Sequence, residues 1–154
     1  MWNFMSLFKS KKQSFDTQYV EIPDTAFDEN LKREIQKLES YAEELARSLQ
    51  KKYSKEFEKK NRKNLKVYLE RNIDGDEIEG ISSDNAFEKE YRSVLAMEYD
   101  GFEDDEQYED IDISLWYYFG GYRHGTGGLY KLAQDNLEIE MEEALKELLE
   151  RFQK

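Results

Sequence analysis

Six apolar residues constrain this chain more than anything else in it. Leu31, Ile35, Leu38, Ala42, Leu45 and Leu49 follow one another at spacings of 4, 3, 4, 3 and 4. That rhythm draws a single stripe down one face of an α-helix and leaves the opposite face polar. Pro23-Asp24-Thr25 supplies a start signal. Thr25 with Asp28 three residues on reads as a capping box built with the shorter acid. Tyr53 and Phe57 continue the stripe less regularly. A helix over residues 26–60 would run ~50 Å at 1.5 Å per residue. That exceeds the diameter of a domain this size, so the sequence predicts a bend or a projecting end, with the basic stretch 51–63 as the projecting part. A coiled-coil dimer is the rival arrangement, although about three heptads is close to its minimum.

Downstream the period changes from helical to alternating. Leu65, Val67 and Leu69 alternate with polar neighbours and predict a strand over residues 64–71. Asp74-Gly75 marks a turn. Phe87, Tyr91, Leu95, Met97 and Tyr99 share one parity, although Phe87, Tyr91 and Val94 also fit a helix. Asp100-Gly101 ends that segment. Ile111, Ile113, Leu115, Tyr117 and Phe119 then alternate with Asp112, Ser114, Trp116 and Tyr118 in the clearest strand of the chain. Residues 120–128 read as a glycine-rich loop. Asp135 and Glu138 form a second capping box, and Leu137, Met141, Leu145, Leu148 and Phe152 mark one face of a terminal helix. The order predicts an α+β domain: a long N-terminal helix, a three- to four-stranded antiparallel meander, and a C-terminal helix packed on one sheet face. The domain covers residues 23–154. Residues 1–22 read as an arm that packs locally or touches a membrane surface through Trp2, Phe4, Leu7 and Phe8 beside Lys9, Lys11 and Lys12.

Charge is the second constraint. The 154 residues sum to −12, but residues 1–66 hold 15 Lys/Arg against 11 Asp/Glu, and the rest hold 8 against 24. Within residues 47–66 stand Arg47, Lys51, Lys52, Lys55, Lys59, Lys60, Arg62, Lys63 and Lys66, against Glu56 and Glu58. Residues 98–112 carry nine carboxylates and no base. A body this acidic repels phosphate backbones except at a segregated basic patch. There is no cysteine, which excludes disulfides and thiolate metal sites and fits a reducing cytoplasm. The start places apolar residues before cations, the reverse of a secretory signal, and no apolar run approaches the ~20 residues of a membrane-spanning helix. The expectation is a cytoplasmic protein.

Few residues offer themselves for chemistry. Arg123-His124-Gly125 matches a triplet of the histidine phosphatases, but those enzymes need a second histidine and His124 is the only one here. The glycine-rich stretch lacks the Gly-Lys-Ser/Thr end of a phosphate loop. The acidic run does not follow the register of a calcium-binding EF-hand loop. No cofactor and no dedicated metal site are expected. His124 could still act as a general acid or base with a carboxylate from the acidic run, but Ser114 and Thr126, near it in sequence, carry no recognisable nucleophile context.

Trp116, Tyr117, Tyr118, Phe119, Tyr122 and Tyr130 lie within fifteen residues. Strict alternation sends Tyr117 and Phe119 to the core and leaves Trp116 and Tyr118 outside, where aromatics anchor partners. Small size, acidity, absent cysteine and exposed aromatics resemble, in general character only, bacterial immunity or antitoxin proteins. That resemblance implies a non-enzymatic inhibitor of a basic partner. Asp104, Asp105, Glu106, Glu109 and Asp110 would pair with its cations, Trp116 and Tyr118 would anchor it, and Arg123 and His124 would border the site. The alternatives are a nucleic-acid-associated protein using the basic helix 47–66, with Tyr53 and Phe57 to stack on bases, or a small hydrolase using His124.

Overall fold

The computed structural model describes residues 19–121, 124–130 and 134–152. The chain is α+β. Strand β1 (Tyr19–Pro23) leads through a short 3-10 turn (Asp24–Ala26) into the long helix α1 (Glu29–Lys59). Strands β2 (Lys66–Ile73), β3 (Tyr91–Glu98), β4 (Asp112–Phe119) and β5 (Thr126–Tyr130) follow, and helix α2 (Gln134–Arg151) completes the fold. All pairings are antiparallel, in the order β1-β5-β4-β3-β2. The predicted antiparallel meander is present, its three located strands as β2 to β4; β5 extends it from within the stretch read as a loop, and β1 adds a fifth strand beside β5. Residues 19–22, assigned by sequence to an arm, belong to the sheet. Trp2, Phe4, Leu7 and Phe8 lie outside the described residues.

This topology explains the length of α1. The chain leaves β1 at one sheet edge and must begin β2 at the other, and α1 carries it across. Its 31 residues span ~46 Å. Asp28, rather than Thr25, is its cap: the Asp28 side chain accepts a hydrogen bond from the Leu31 amide at 2.8 Å. The apolar stripe is buried along its length and continues through Tyr53 and Phe57, so it is used up by the chain's own core. The basic end does not project. Phe57 meets the ring of Phe152 edge-on at 5.5 Å, and the Arg62 guanidinium lies 3.9 Å from the same ring's centre. The side chain of Asp135, and with it the second predicted cap, lies outside the described residues.

Two apolar clusters lie beneath α1. The larger joins Leu38 to Phe57 of α1 with Val67, Leu95, Met97, Ile113 and Leu115 of the sheet and Leu137, Met141, Leu145, Leu148 and Phe152 of α2. The smaller joins Leu31 and Ile35 with Ala86, Tyr91, Trp116 and Tyr118. Both belong to the helix-covered face of the sheet. Phe87 is in neither a strand nor an α-helix. It follows the 3-10 turn Ser83–Asn85 and stacks on Phe27 at 4.7 Å.

Between these clusters the sheet departs from simple alternation. Val94 pairs with Ser114, but the next residue back along β3, Ser93, pairs with Trp116. Leu115 is thus one residue too many on β4. A β-bulge of this kind shifts the face of everything after it. Ile113 and Leu115 point to the helices before the bulge, and Trp116 and Tyr118 point there after it. All four are buried. The exposures predicted for β4 are therefore inverted beyond Leu115: Trp116 is 0% and Tyr118 6% exposed, while Phe119 is 55% exposed.

Candidate docking surface

The predicted site residues divide into three groups that do not meet at one place. The acidic loop joins the β3 and β4 ends at one edge of the molecule. The residues around His124 join β4 to β5 at the other. Seven residue steps along β4 separate the two, about 23 Å at ~3.3 Å per residue.

The acidic loop is a built structure. Gly101 adopts φ +77°, a left-handed conformation that favours glycine. Phe102 and Tyr108 pack against the larger cluster and against each other at 4.6 Å. Asp105 is the anchor. It accepts hydrogen bonds from Arg62 Nε at 2.8 Å and Nη2 at 3.0 Å, from the Tyr99 hydroxyl at 2.6 Å and from the Gln107 amide at 2.9 Å. The Arg62 hydrogen bond, followed by that from Tyr99, holds its carboxyl well below the usual carboxylate range. Asp105 is thereby spent on holding the loop. Asp104, Glu106, Glu109 and Asp110 are exposed, and Glu109 pairs with Arg151 at 3.0 Å.

Trp116 and Tyr118, predicted as surface anchors, are core residues. The Trp116 indole donates to the Ala86 carbonyl at 2.8 Å and meets Phe27 edge-on at 5.3 Å. The Tyr118 hydroxyl donates to Asp24 Oδ2 at 3.0 Å, and the Gly125 amide donates to the same oxygen at 2.7 Å. The hydrogen bond from Gly125 is the main reason the Asp24 carboxyl titrates below its ordinary range. These contacts account for the glycines. A Cβ at Gly125 would stand 2.6 Å from the Phe119 carbonyl oxygen and 2.6 Å from Tyr118 Cε1. One at Gly127 would stand 2.6 Å from Trp116 Cζ3 and 2.9 Å from Cζ2. The glycine-rich stretch serves packing, and its last three residues belong to strand β5.

His124 is exposed on the loop between β4 and β5. It makes no hydrogen bond with Ser114 or Thr126 among the described residues. Ser114 lies toward the other end of β4 and accepts from the Tyr19 hydroxyl through its carbonyl at 2.6 Å. Arg123 lies outside the described residues. Among the described residues no group of three or more His, Asp or Glu side chains is placed to hold a metal ion.

The inversion at the bulge exposes a surface that the alternation had hidden. Tyr117 and Phe119 stand on the helix-free face with ring centres 6.3 Å apart. The Tyr117 hydroxyl donates to Glu90 Oε1 at 2.9 Å, and the Gly120 amide donates to Glu90 Oε2 at 3.0 Å. Burial, then the hydrogen bond to Glu90, pushes the Tyr117 hydroxyl up to about 12. The Asp74 amide donates to the Glu90 carbonyl at 2.9 Å, which fixes loop 74–80 to the same end of the sheet. That loop exposes Asp74, Asp76, Glu77 and Glu79 around Ile78, itself 46% exposed. Sequence reasoning missed Phe119 and Ile78. The available signal was the pair Leu115-Trp116, two large apolar residues in succession where alternation allows one.

One further polar group is sealed in the core. Glu39, 1% exposed, accepts from Arg71 Nε at 2.8 Å and from the Tyr91 hydroxyl at 2.6 Å. It ties α1 to β2 and β3 and opens onto no surface.

Comparison of the chain with protein-family models, with curated proteins and with solved structures finds no match.

Proposed function

We propose that this chain is a non-enzymatic protein-binding module whose partner is basic, and that the partner docks at the sheet end bearing Phe119. The observation that carries the reading is the exposed Phe119 ring, set beside Tyr117 at the sheet end that also bears Glu90 and the exposed carboxylates of loop 74–80. Interface cores favour aromatics, with polar groups around them. A partner that covers Phe119 with apolar surface brings its Lys or Arg side chains to those carboxylates. The exposed carboxylates Asp104, Glu106, Glu109 and Asp110, at the far end of β4, extend the negative field and speed encounter without needing direct contact. His124, exposed on the loop after Phe119, borders this surface. In size and charge the module is of the immunity or antitoxin kind, an acidic cytoplasmic inhibitor of a basic toxin.

The test is co-purification at low salt with wild type and with Phe119→Ala, followed by identification of what elutes. The reading expects a stoichiometric basic protein whose affinity falls tenfold or more in Phe119→Ala, with unchanged thermal stability because the ring is exposed. Equal retention by both proteins, or no retained protein, refutes it.

A further inference from the structure

The Phe119 surface leaves the basic half of α1 unexplained. Arg47, Lys51, Lys55 and Lys59 recur every four residues and are all exposed. They form a slowly winding ridge ~18 Å long on the outside of the helix layer, on the opposite side of the molecule from Phe119. Of the four, only Lys59 has an acidic partner among the described residues, Glu56 at 3.4 Å. Exposed Lys63 and Lys66 continue the line beyond the helix. Lys52 leans away to Glu142 on α2 at 2.5 Å, so the neighbouring carboxylate of α2 is already neutralised. Glu58 is the one carboxylate within 47–59 that has no ion pair among the described residues.

We propose that this ridge binds a nucleic-acid duplex through its phosphates. Three observations select that partner. First, α1 carries none of the exposed large hydrophobics. A protein interface is centred on desolvated apolar or aromatic anchors, and the ridge offers only charged and hydroxyl groups. Second, Tyr53 and Phe57, the aromatics within the basic stretch, are buried. Neither can stack on a base, and stacking is what single-strand binders use. A phosphate backbone requires only cations. Third, the acidity of the body does not forbid it. The ridge stands on the outer side of a helix ~10–12 Å across, which sets it about one screening length from the sheet beneath at ~0.1 M salt.

The experiment is fluorescence anisotropy of a labelled DNA duplex titrated with the full chain, from about 50 to about 200 mM salt. Four phosphate contacts predict a log–log slope near −3.6, hence a loss of roughly 100-fold in affinity across that range. Lys51→Gln with Lys55→Gln removes two contacts and should halve the slope to about −1.8. Both positions are exposed, so circular dichroism of the double variant should match wild type. Absence of binding at about 50 mM salt overturns the proposal, because phosphate contacts are strongest there. So does a slope that the double variant leaves unchanged. So does tighter binding of a poly-glutamate peptide than of the duplex, which would make the ridge a dock for an acidic protein.

Discussion

Replacing Gly127 by alanine tests the bulge on which the placement of the surface rests. Gly127 and Gly128 are adjacent in β5 and face opposite sides of the sheet. A methyl at Gly127 would be driven into the Trp116 ring, 2.6 Å from Cζ3 and 2.9 Å from Cζ2, whereas one at Gly128 meets no heavy atom within 4 Å. Trp116 has no free space to retreat into, because it is fully buried and its indole is bonded to the Ala86 carbonyl. Overpacking of this kind costs about 1–3 kcal/mol. Breaking the buried hydrogen bond adds about 1–3 kcal/mol. A total near 4 kcal/mol lowers the Tm of a chain this size by roughly 8–16 °C. Gly128→Ala should stay within about 1 kcal/mol of wild type, since alanine there also reduces unfolded-chain entropy. Thermal unfolding followed by circular dichroism reads both. The reasoning is refuted if Gly127→Ala melts with wild type, or if the two variants lose the same stability. Either result would remove Trp116 from the helix-covered face and return Phe119 to the core.

Glu39→Ala should destabilise by about 3 kcal/mol, because it strips the half-buried Arg71 guanidinium and the buried Tyr91 hydroxyl of their shared acceptor. Replacing Glu39 and Arg71 together by methionine should restore only the part due to Arg71, since the Tyr91 hydroxyl still lacks its acceptor, and denaturant unfolding of both variants checks it. Alkaline pH should act through the tyrosines. Burial is the first cause that raises the hydroxyls of Tyr68, Tyr91, Tyr99 and Tyr108, and it pushes Tyr53 and Tyr117 to about 12. A folded value above the unfolded one means that this stability is complete below about pH 10 and is lost as pH rises through the folded values. Near-ultraviolet titration should therefore show most phenolate appearing late and together with unfolding. Free titration of most tyrosines near pH 10 in the folded protein would contradict it.

How much of this was legible follows from which interactions are local. Helix α1 could be read because its stripe is a repeat within one segment, and Asp74-Gly75 could be read because both residues take positive φ, +54° and +86°, as a tight two-residue turn demands. Strands β1 and β5 could not. The sequence Thr-Gly-Gly-Leu-Tyr has little strand propensity of its own, and Gly127 is there for Trp116, a contact known only after folding. Pro23, which lacks an amide proton, restricts β1 to an edge, and an edge strand five residues long carries a weak pattern. The parity of β4 failed for a comparable reason. The bulge is a property of the β3–β4 pairing, while alternation is read from one strand alone. The acidic run was legible as charge, but the burial of Asp105 beside Arg62 depends on where α1 ends relative to the loop.

The bulge also connects the core to the surface. A sheet with one covered face ordinarily gives each strand one set of core positions. At Leu115-Trp116 the extra residue lets two large apolar side chains in succession enter the same side, so α1 has a second cluster to cover at its N-terminal end. The consequence is felt at the strand's far end. Had alternation continued, Phe119 would be buried and Tyr118 exposed, with its hydroxyl unable to reach Asp24 and close the glycine loop. One inserted residue therefore seals the core, fixes the loop that carries His124, and turns Phe119 outward. The cations of α1 stay on the other side of the molecule, with the helix layer and the sheet between the two. The uneven charge of the sequence thus becomes two faces of opposite sign.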